Sequence, residues 1–354
     1  MDRGIYSPLK IFHHREQIED LKAGRRPRLI HVQIVPTNRC NQRCRFCAYR
    51  NFGYSSSQSF NQKDEIPTVK LLEVAESLRR MGVQGVEITG GGEPTLHEGY
   101  YDFCGKLRES EIGYGVVTNG SVDSSLVDDA LAGAAWVRFS VDAGCSETYA
   151  TIRKSRGEVY DDVRARIQRI SSLKNGRRDP VIGVGFVVTR DNWREVFLAA
   201  AEAKQDGADN FRISAEFQNE GAGHFREFFP EASALCREAE TLNDGEFKVF
   251  NLFGDRVDDL SQKSPTEPFC GFQHLCTYVG ADQNVYRCCV VSYNELGLIG
   301  SIKKQTLESL WDSVDTAVKL KDFDARKCPR CMYNAKNASI AYAIDPSPPH
   351  VEFI

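Results

Sequence analysis

The 354-residue chain lacks any apolar run long enough to cross a bilayer, which leaves no predicted membrane-spanning segment. It begins Met1-Asp2-Arg3-Gly4-Ile5-Tyr6, without the basic region and apolar stretch of a secretory signal, so an exported, disulfide-stapled protein is not expected. Neither charge sign dominates: the formal net charge is −4, and basic doublets such as Arg25-Arg26, Arg79-Arg80 and Arg177-Arg178 are scattered. Nucleic acid and anionic membranes are therefore not default partners. Internal repeats and low-complexity tracts are also missing. What remains is the composition of a globular protein, 41% hydrophobic and 27% charged, long enough for a large barrel with a small appended domain. Without a secretory route, its twelve cysteines read as metal ligands or buried thiols in a reducing cytoplasm.

Three of those cysteines fall within eight residues, Cys40-Asn-Gln-Arg-Cys44-Arg-Phe-Cys47. Three thiolates on one short loop can wrap an inorganic cluster. A [4Fe–4S] cube normally takes four cysteines, so this loop leaves one iron open to another ligand. The same cysteines would also serve as three-quarters of a zinc site or part of a disulfide framework.

Around them the sequence alternates. Leu29–Val35 reads as a strand, 68–81 as a helix opened by Pro67-Thr68 and closed by Gly82, and 85–89 as a second strand. Helices follow at 98–111, 123–132, 158–173 and 193–206, and strands at 113–118, 135–141, 181–188 and 209–214. Six strand-then-helix units predict an α/β fold with a parallel sheet; a doubly wound open sheet fits the same pattern. From about 230 the rhythm stops. One amphipathic helix (230–243), a short apolar stretch and a polar linker from Asp255 to Pro268 lead to a second group of cysteines.

The cysteine loop, with aromatic Phe46 just before its last cysteine, resembles the signature of the radical S-adenosylmethionine (radical SAM) enzymes. That resemblance implies a partial (βα)₆ TIM-like barrel over 29–254. It also implies a [4Fe–4S] cluster on Cys40, Cys44 and Cys47 whose open iron binds SAM. Reductive cleavage of SAM then gives a 5′-deoxyadenosyl radical that abstracts hydrogen from a substrate. Phe46 joins the cofactor-binding set. Gly91-Gly92-Glu93, after the second strand, looks like the segment that holds the SAM amino group; the alternative is an ordinary glycine-rich turn. Asn119, Ser140 and Asp142, at the ends of the third and fourth strands, resemble positions near the sugar and amino-acid portions of SAM. Each is also a natural turn or cap residue. Arg153 is similar to the arginine that pairs with the SAM carboxylate, with Arg156 competing. Thr189 and Ser214 are expected at the adenine pocket.

The C-terminal region holds Cys270, Cys276, Cys288, Cys289, Cys328 and Cys331. Ala281–Tyr286 reads as a hairpin turn and return strand that brings Cys288 toward Cys270. Cys328-Pro-Arg-Cys331 is a hook that places two thiolates on one metal. The stretch Gly297–Ile302 followed by Thr306–Trp311 resembles the region bridging such cysteines in the SPASM/twitch radical SAM enzymes. The implied arrangement is a cysteine-rich auxiliary-cluster domain at 255–331 with one [4Fe–4S] cluster on Cys270, Cys288, Cys328 and Cys331. Cys276 is an alternative to Cys270 and Cys289 to Cys288, and a zinc ribbon is the competing structure. Residues 1–28 form an N-terminal extension and 332–354 a tail, either folded back over the barrel or extended.

Three further cysteines are expected to be structural: Cys145 near a helix cap, Cys104 and Cys236 in helix cores. The loop Ala48–Ile66, with Tyr49, Phe52 and Tyr54, reads as a substrate-facing flap or a plain surface loop. The expected activity is a net oxidation at an unactivated C–H bond; epimerisation and decarboxylation are the redox-neutral alternatives. A non-catalytic iron–sulfur or zinc module is the alternative of another class. The partners are a small-molecule or peptide substrate and an electron donor such as flavodoxin or ferredoxin. The short leader leaves no room for a peptide-binding domain and favours a sugar, aminocyclitol or nucleotide derivative.

Overall fold

The computed structural model describes residues 5–50, 58–174, 179–218, 220–261 and 264–347. Seven parallel strands come first: β1 His31–Ile34, β2 Gly85–Ile88, β3 Gly113–Thr118, β4 Trp136–Ser140, β5 Val181–Val188, β6 Asn210–Ala215 and β7 Lys248–Asn251. β8 Cys276–Val279, β9 Asn284–Tyr286 and β10 Leu298–Ser301 follow. All ten lie in one sheet, ordered β10-β9-β8-β1-β2-β3-β4-β5-β6-β7. β8 runs parallel to β1, and β9 and β10 turn back antiparallel. Among the described residues the end strands β7 and β10 do not pair with each other, and β7 does not pair with β8, so the barrel is open.

The predicted α/β class and parallel barrel are present, with two differences in detail. The short apolar stretch near Phe247 is a seventh parallel strand, four residues long, too brief to register as alternation. The predicted polar linker contains the helix Phe253–Ser261. Its buried Phe253, Val257 and Leu260 lie at helical spacing among acidic neighbours. Because β8 extends the sheet from β1, the sheet crosses the expected boundary at 255.

Strand burial alternates in a way that hollows the barrel. On β4, Val137 and Phe139 face the helices and are fully buried, whereas Trp136, Arg138 and Ser140 face the axis and stay partly exposed. On β2, Val86 and Ile88 are buried while Glu87 is not. A closed eight-stranded barrel fills its axis with side chains; this one leaves it accessible.

The N-terminal extension and the C-terminal helix Asn334–Ile344 pack together, through Ile11, Ile18, Leu275 and Ile340. That part of the tail folds back. Residues beyond 347, and the Phe52 and Tyr54 expected in a flap, lie outside the described residues.

Candidate functional site

The three-cysteine loop leaves β1 through Pro36, at the C-terminal mouth of the barrel, and is pinned along its length. Arg43 N–H donates to the Arg153 carbonyl at 3.1 Å and Arg45 N–H to the Ile152 carbonyl at 2.9 Å. Gln42, buried inside the loop, donates to the Tyr149 hydroxyl at 2.8 Å and accepts from Arg153 at 3.1 Å. Cys40, Cys44 and Cys47 are half-buried free thiols on this loop. Burial pushes the Cys40 thiol up to about 11 and raises Cys47; the Arg50 guanidinium works against both shifts. Arg50 Nε is shut off from solvent without a partner, so a cation already stands beside two of the thiols.

The glycine segment packs against this loop. A Cβ on Gly92 would lie 2.1 Å from the Arg39 carbonyl oxygen, and one on Gly91 would lie 2.4 Å from Asn38 Oδ1. The close approach that glycine permits here is therefore to the cysteine loop's own backbone. Glu93 follows, 2% exposed. Its Oε1 accepts from Thr118 Oγ1 at 2.7 Å and from both Thr95 N–H and Oγ1, and its Oε2 accepts from Asn119 N–H at 2.7 Å. Burial raises the carboxyl's pKa against those bonds. Glu93 thus fastens the turn after β2 to the end of β3. Asn119 in turn donates to Asn41 Oδ1 at 2.9 Å, reaching back into the cysteine loop.

Asp142 and Arg153 are brought together, and the structure gives them to each other. They form a buried ion pair, and Arg153 also donates to the Ser140 carbonyl. Its Nη1 lies 3.6 Å from Cys44 Sγ. Burial opposes the guanidinium charge, but Asp142 and the Cys44 thiol outweigh it and hold Arg153 cationic. In the structure, then, the polar atoms of both residues are engaged with neighbouring groups of the chain. Phe46 stacks over the guanidinium at 5.5 Å. Asp142 has φ +62°, and its other oxygen accepts from Val187 N–H at 2.7 Å. Thr189 N–H is capped by Asn192 Oδ1 at 2.7 Å, and fully buried Asn192 clamps the Asp142 and Val187 carbonyls. Ser214 is buried at the end of β6. Arg156 is not part of this set; its nearest carboxylate is Glu158, and both side chains are exposed. Gln42 and Asn192 were not singled out from sequence. The signal was a polar residue within the cysteine spacing or directly after a strand.

The second cysteine group stands at the other end of the sheet. Cys270 precedes the helix Phe272–Leu275 and β8, and the β8–β9 hairpin returns the chain so that Cys288 lies past the N-terminal end of β8. Cys270, Cys288, Cys328 and Cys331 all line one cavity of about 560 Å³. Burial pushes Cys270 up to about 11 and Cys328 to about 12, and raises Cys288 and Cys331. Arg287, in the same wall, is held by Gln273 Oε1 at 2.6 Å and the Lys319 carbonyl at 2.9 Å, close enough to counter the thiolate charges. The two alternative cysteines are placed elsewhere: Cys276 is buried 3.6 Å from His31 Nδ1, and Cys289 lies 3.0 Å from the Tyr333 hydroxyl. Among the described residues, no three His, Cys, Asp or Glu groups converge tightly enough for a single metal ion.

Cys145 caps the helix Ser146–Arg153, and Cys104 and Cys236 are fully buried within helices.

The structure thus sets a loop with three free cysteines at the mouth of an open parallel barrel. The family model of the Radical SAM superfamily matches residues 34–200. The chain is 27% identical over 190 residues to a tungsten-containing aldehyde ferredoxin oxidoreductase cofactor-modifying protein of Pyrococcus furiosus, covering 52% of this chain and 51% of that protein. It is 31% identical over 143 residues to the GTP 3′,8-cyclase of Staphylococcus haemolyticus, covering 38% of this chain and 40% of the relative. The chain thus spans about half the length, or less, of these curated relatives. Its fold is similar to that of Streptococcus suis SuiB bound to precursor peptide SuiA (TM-score 0.62, 13% identity, 91% of this chain and 74% of that one). It is also similar to native anSMEcpe with bound AdoMet (TM-score 0.56, 18% identity, 87% and 88%).

Proposed function

We propose that the protein is a radical SAM oxidoreductase of the SPASM/twitch type, with one auxiliary cluster, that oxidises a substrate at an unactivated carbon. The observation that carries this reading is the single cavity lined by Cys270, Cys288, Cys328 and Cys331 at the barrel end opposite the three-cysteine loop. A lone zinc ion draws its thiolates to bonds of about 2.3 Å; a cavity this wide suits a cube. Four thiolates leave no open corner, which is the donor set of an electron-transfer centre.

At the mouth, Cys40, Cys44 and Cys47 would hold a [4Fe–4S] cluster, which together with SAM would supply hydrogen-abstracting radical chemistry. The chain's own residues do the rest. Arg50 and Arg153 place positive charge beside the thiolates. Glu93, Thr118 and Asn119 fix the adjoining loops, and Gly91 and Gly92 let those loops close on each other. Glu93 and Asn119, with Phe46, Ser140 and Thr189, form the wall against which SAM would lie. The substrate is a small molecule or a peptide reached through the barrel axis, and the reductant a flavodoxin- or ferredoxin-type donor. The names of the curated relatives include GTP, which favours a nucleotide-sized molecule.

Anaerobic reconstitution tests the reading. It expects about eight irons per chain from two cubes, and methionine with 5′-deoxyadenosine once dithionite and SAM are added. Zinc or about four irons would remove the auxiliary centre; no SAM cleavage would remove the enzyme. Deuterated candidate substrates that transfer label into 5′-deoxyadenosine identify the carbon attacked.

A further inference from the structure

The barrel axis between the two cysteine sites carries a charge arrangement that neither site uses. Arg138 on β4 and Arg212 on β6 are separated by β5, whose axis-facing positions beside them are Gly183 and Gly185. A Cβ on Gly185 would touch the Arg138 side chain at 3.5 Å, so the wall that would divide the two arginines is absent. Each guanidinium lies over an aromatic ring: Arg138 is 5.7 Å from the centre of Trp136, and Arg212 5.4 Å from that of Tyr6. Among the described residues neither makes an ion pair or a side-chain hydrogen bond, and Arg212 Nε is buried without a partner. Burial pushes Arg212 down to about 10, and Arg138 and Arg256 push the same way. Two carboxylates act on this pair: Asp142, near Arg138, is already paired with Arg153, and Glu87 is near Arg212. Glu87 accepts from Gln33 at 3.2 Å and lies 4.0 Å from His31. Arg256 is paired with Asp259 at 2.8 Å.

Two like charges that share a partly desolvated lumen repel one another, and an anion between them would relieve that repulsion. We propose that Arg138 and Arg212 form an oxyanion subsite in the barrel axis, and that the substrate is an anion whose phosphate or carboxylate group is gripped there. Planar guanidinium forks match two oxygens of such a group. The ring faces of Trp136 and Tyr6 hold the forks in place. This assignment rests on the reading of the barrel axis as the substrate channel and adds the substrate's chemical class.

The test is binding of inorganic phosphate, pyrophosphate and malonate to the anaerobically reconstituted chain, followed by calorimetry and by melting temperature, without SAM or turnover. Wild-type protein should bind at least one of these anions, with phosphate and malonate telling the two oxyanion types apart. R138Q and R212Q should each weaken that binding by about tenfold or more. Relief of the mutual repulsion should leave their melting temperatures unchanged or raised, whereas a structural arginine would lower them. R138K, which keeps the charge but loses the fork, should fall between. Wild-type protein that ignores all three anions, or variants that bind them as wild type does, would overturn the assignment. Because wild-type SAM cleavage is measured separately, a failed oxyanion subsite and a failed enzyme assignment give different results.

Discussion

Gly92 lies so close to Arg39 that a single added methyl group would sit 2.1 Å from the Arg39 carbonyl oxygen. The turn after β2 and the loop after β1 therefore act as one piece. The hydrogen bond from Glu93 N–H to that same carbonyl, at 2.8 Å, closes the contact.

Gly92→Ala should displace the cysteine loop and leave the second cysteine site in place. Reconstituted iron should fall from about eight to about four per chain, with SAM cleavage lost. Iron analysis and 5′-deoxyadenosine assay check it; a variant that keeps both would separate the two loops.

At the second site, Cys288→Ser or Cys328→Ser should cost about four irons per chain. Cys276→Ser and Cys289→Ser should retain them, since those thiols stand against His31 and Tyr333. Iron and sulfide counts on the four variants distinguish the sets.

The Asp142–Arg153 pair is buried, so removing one partner strands the other's charge. Arg153→Met or Asp142→Leu should destabilise the fold by about 3–5 kcal/mol. Chemical denaturation measures this, and Cys44, 3.6 Å from Arg153 Nη1, should lose its positive neighbour in the first variant only.

Glu216, at the end of β6, gives a pH signature. Burial pushes its carboxyl up to about 7, and His224 Nε2 stands 3.3 Å from Oε2. Burial pushes the His224 imidazole down as well, which weakens it as a partner for the carboxylate. The folded protein thus keeps a proton that the unfolded chain releases near its ordinary carboxyl pKa. This stability is fully present below that ordinary value and is lost as pH rises through about 7, by up to about 3 kcal/mol. Glu216→Gln should flatten the loss. Melting temperatures of both proteins at acidic and alkaline pH should differ most on the alkaline side.

Legibility followed range. Cys40, Cys44 and Cys47 lie in one loop, and the Cys328–Cys331 hook in another, so spacing alone announced them. The first six strands were legible because each is followed by a helix with its own apolar period. β7 was not, being four residues with a single fully buried position. The helix Phe253–Ser261 hid its three buried residues among acids. The resemblance supplied SAM roles for Asp142 and Arg153 but gave no sign of their pairing, because eleven positions of sequence say nothing about which way two side chains turn.

By itself the sequence determined the chemistry available: which thiols exist, how closely they are spaced, and that strands alternate with helices, all of them local properties of neighbouring residues. Only the tertiary structure decided which of six C-terminal cysteines share a cavity, that Glu93 is held by Thr118 and Asn119, and that Arg138 and Arg212 flank β5 beside Gly183 and Gly185. Those outcomes depend on sheet order and register, which bring together residues tens of positions apart and fix which face each side chain occupies.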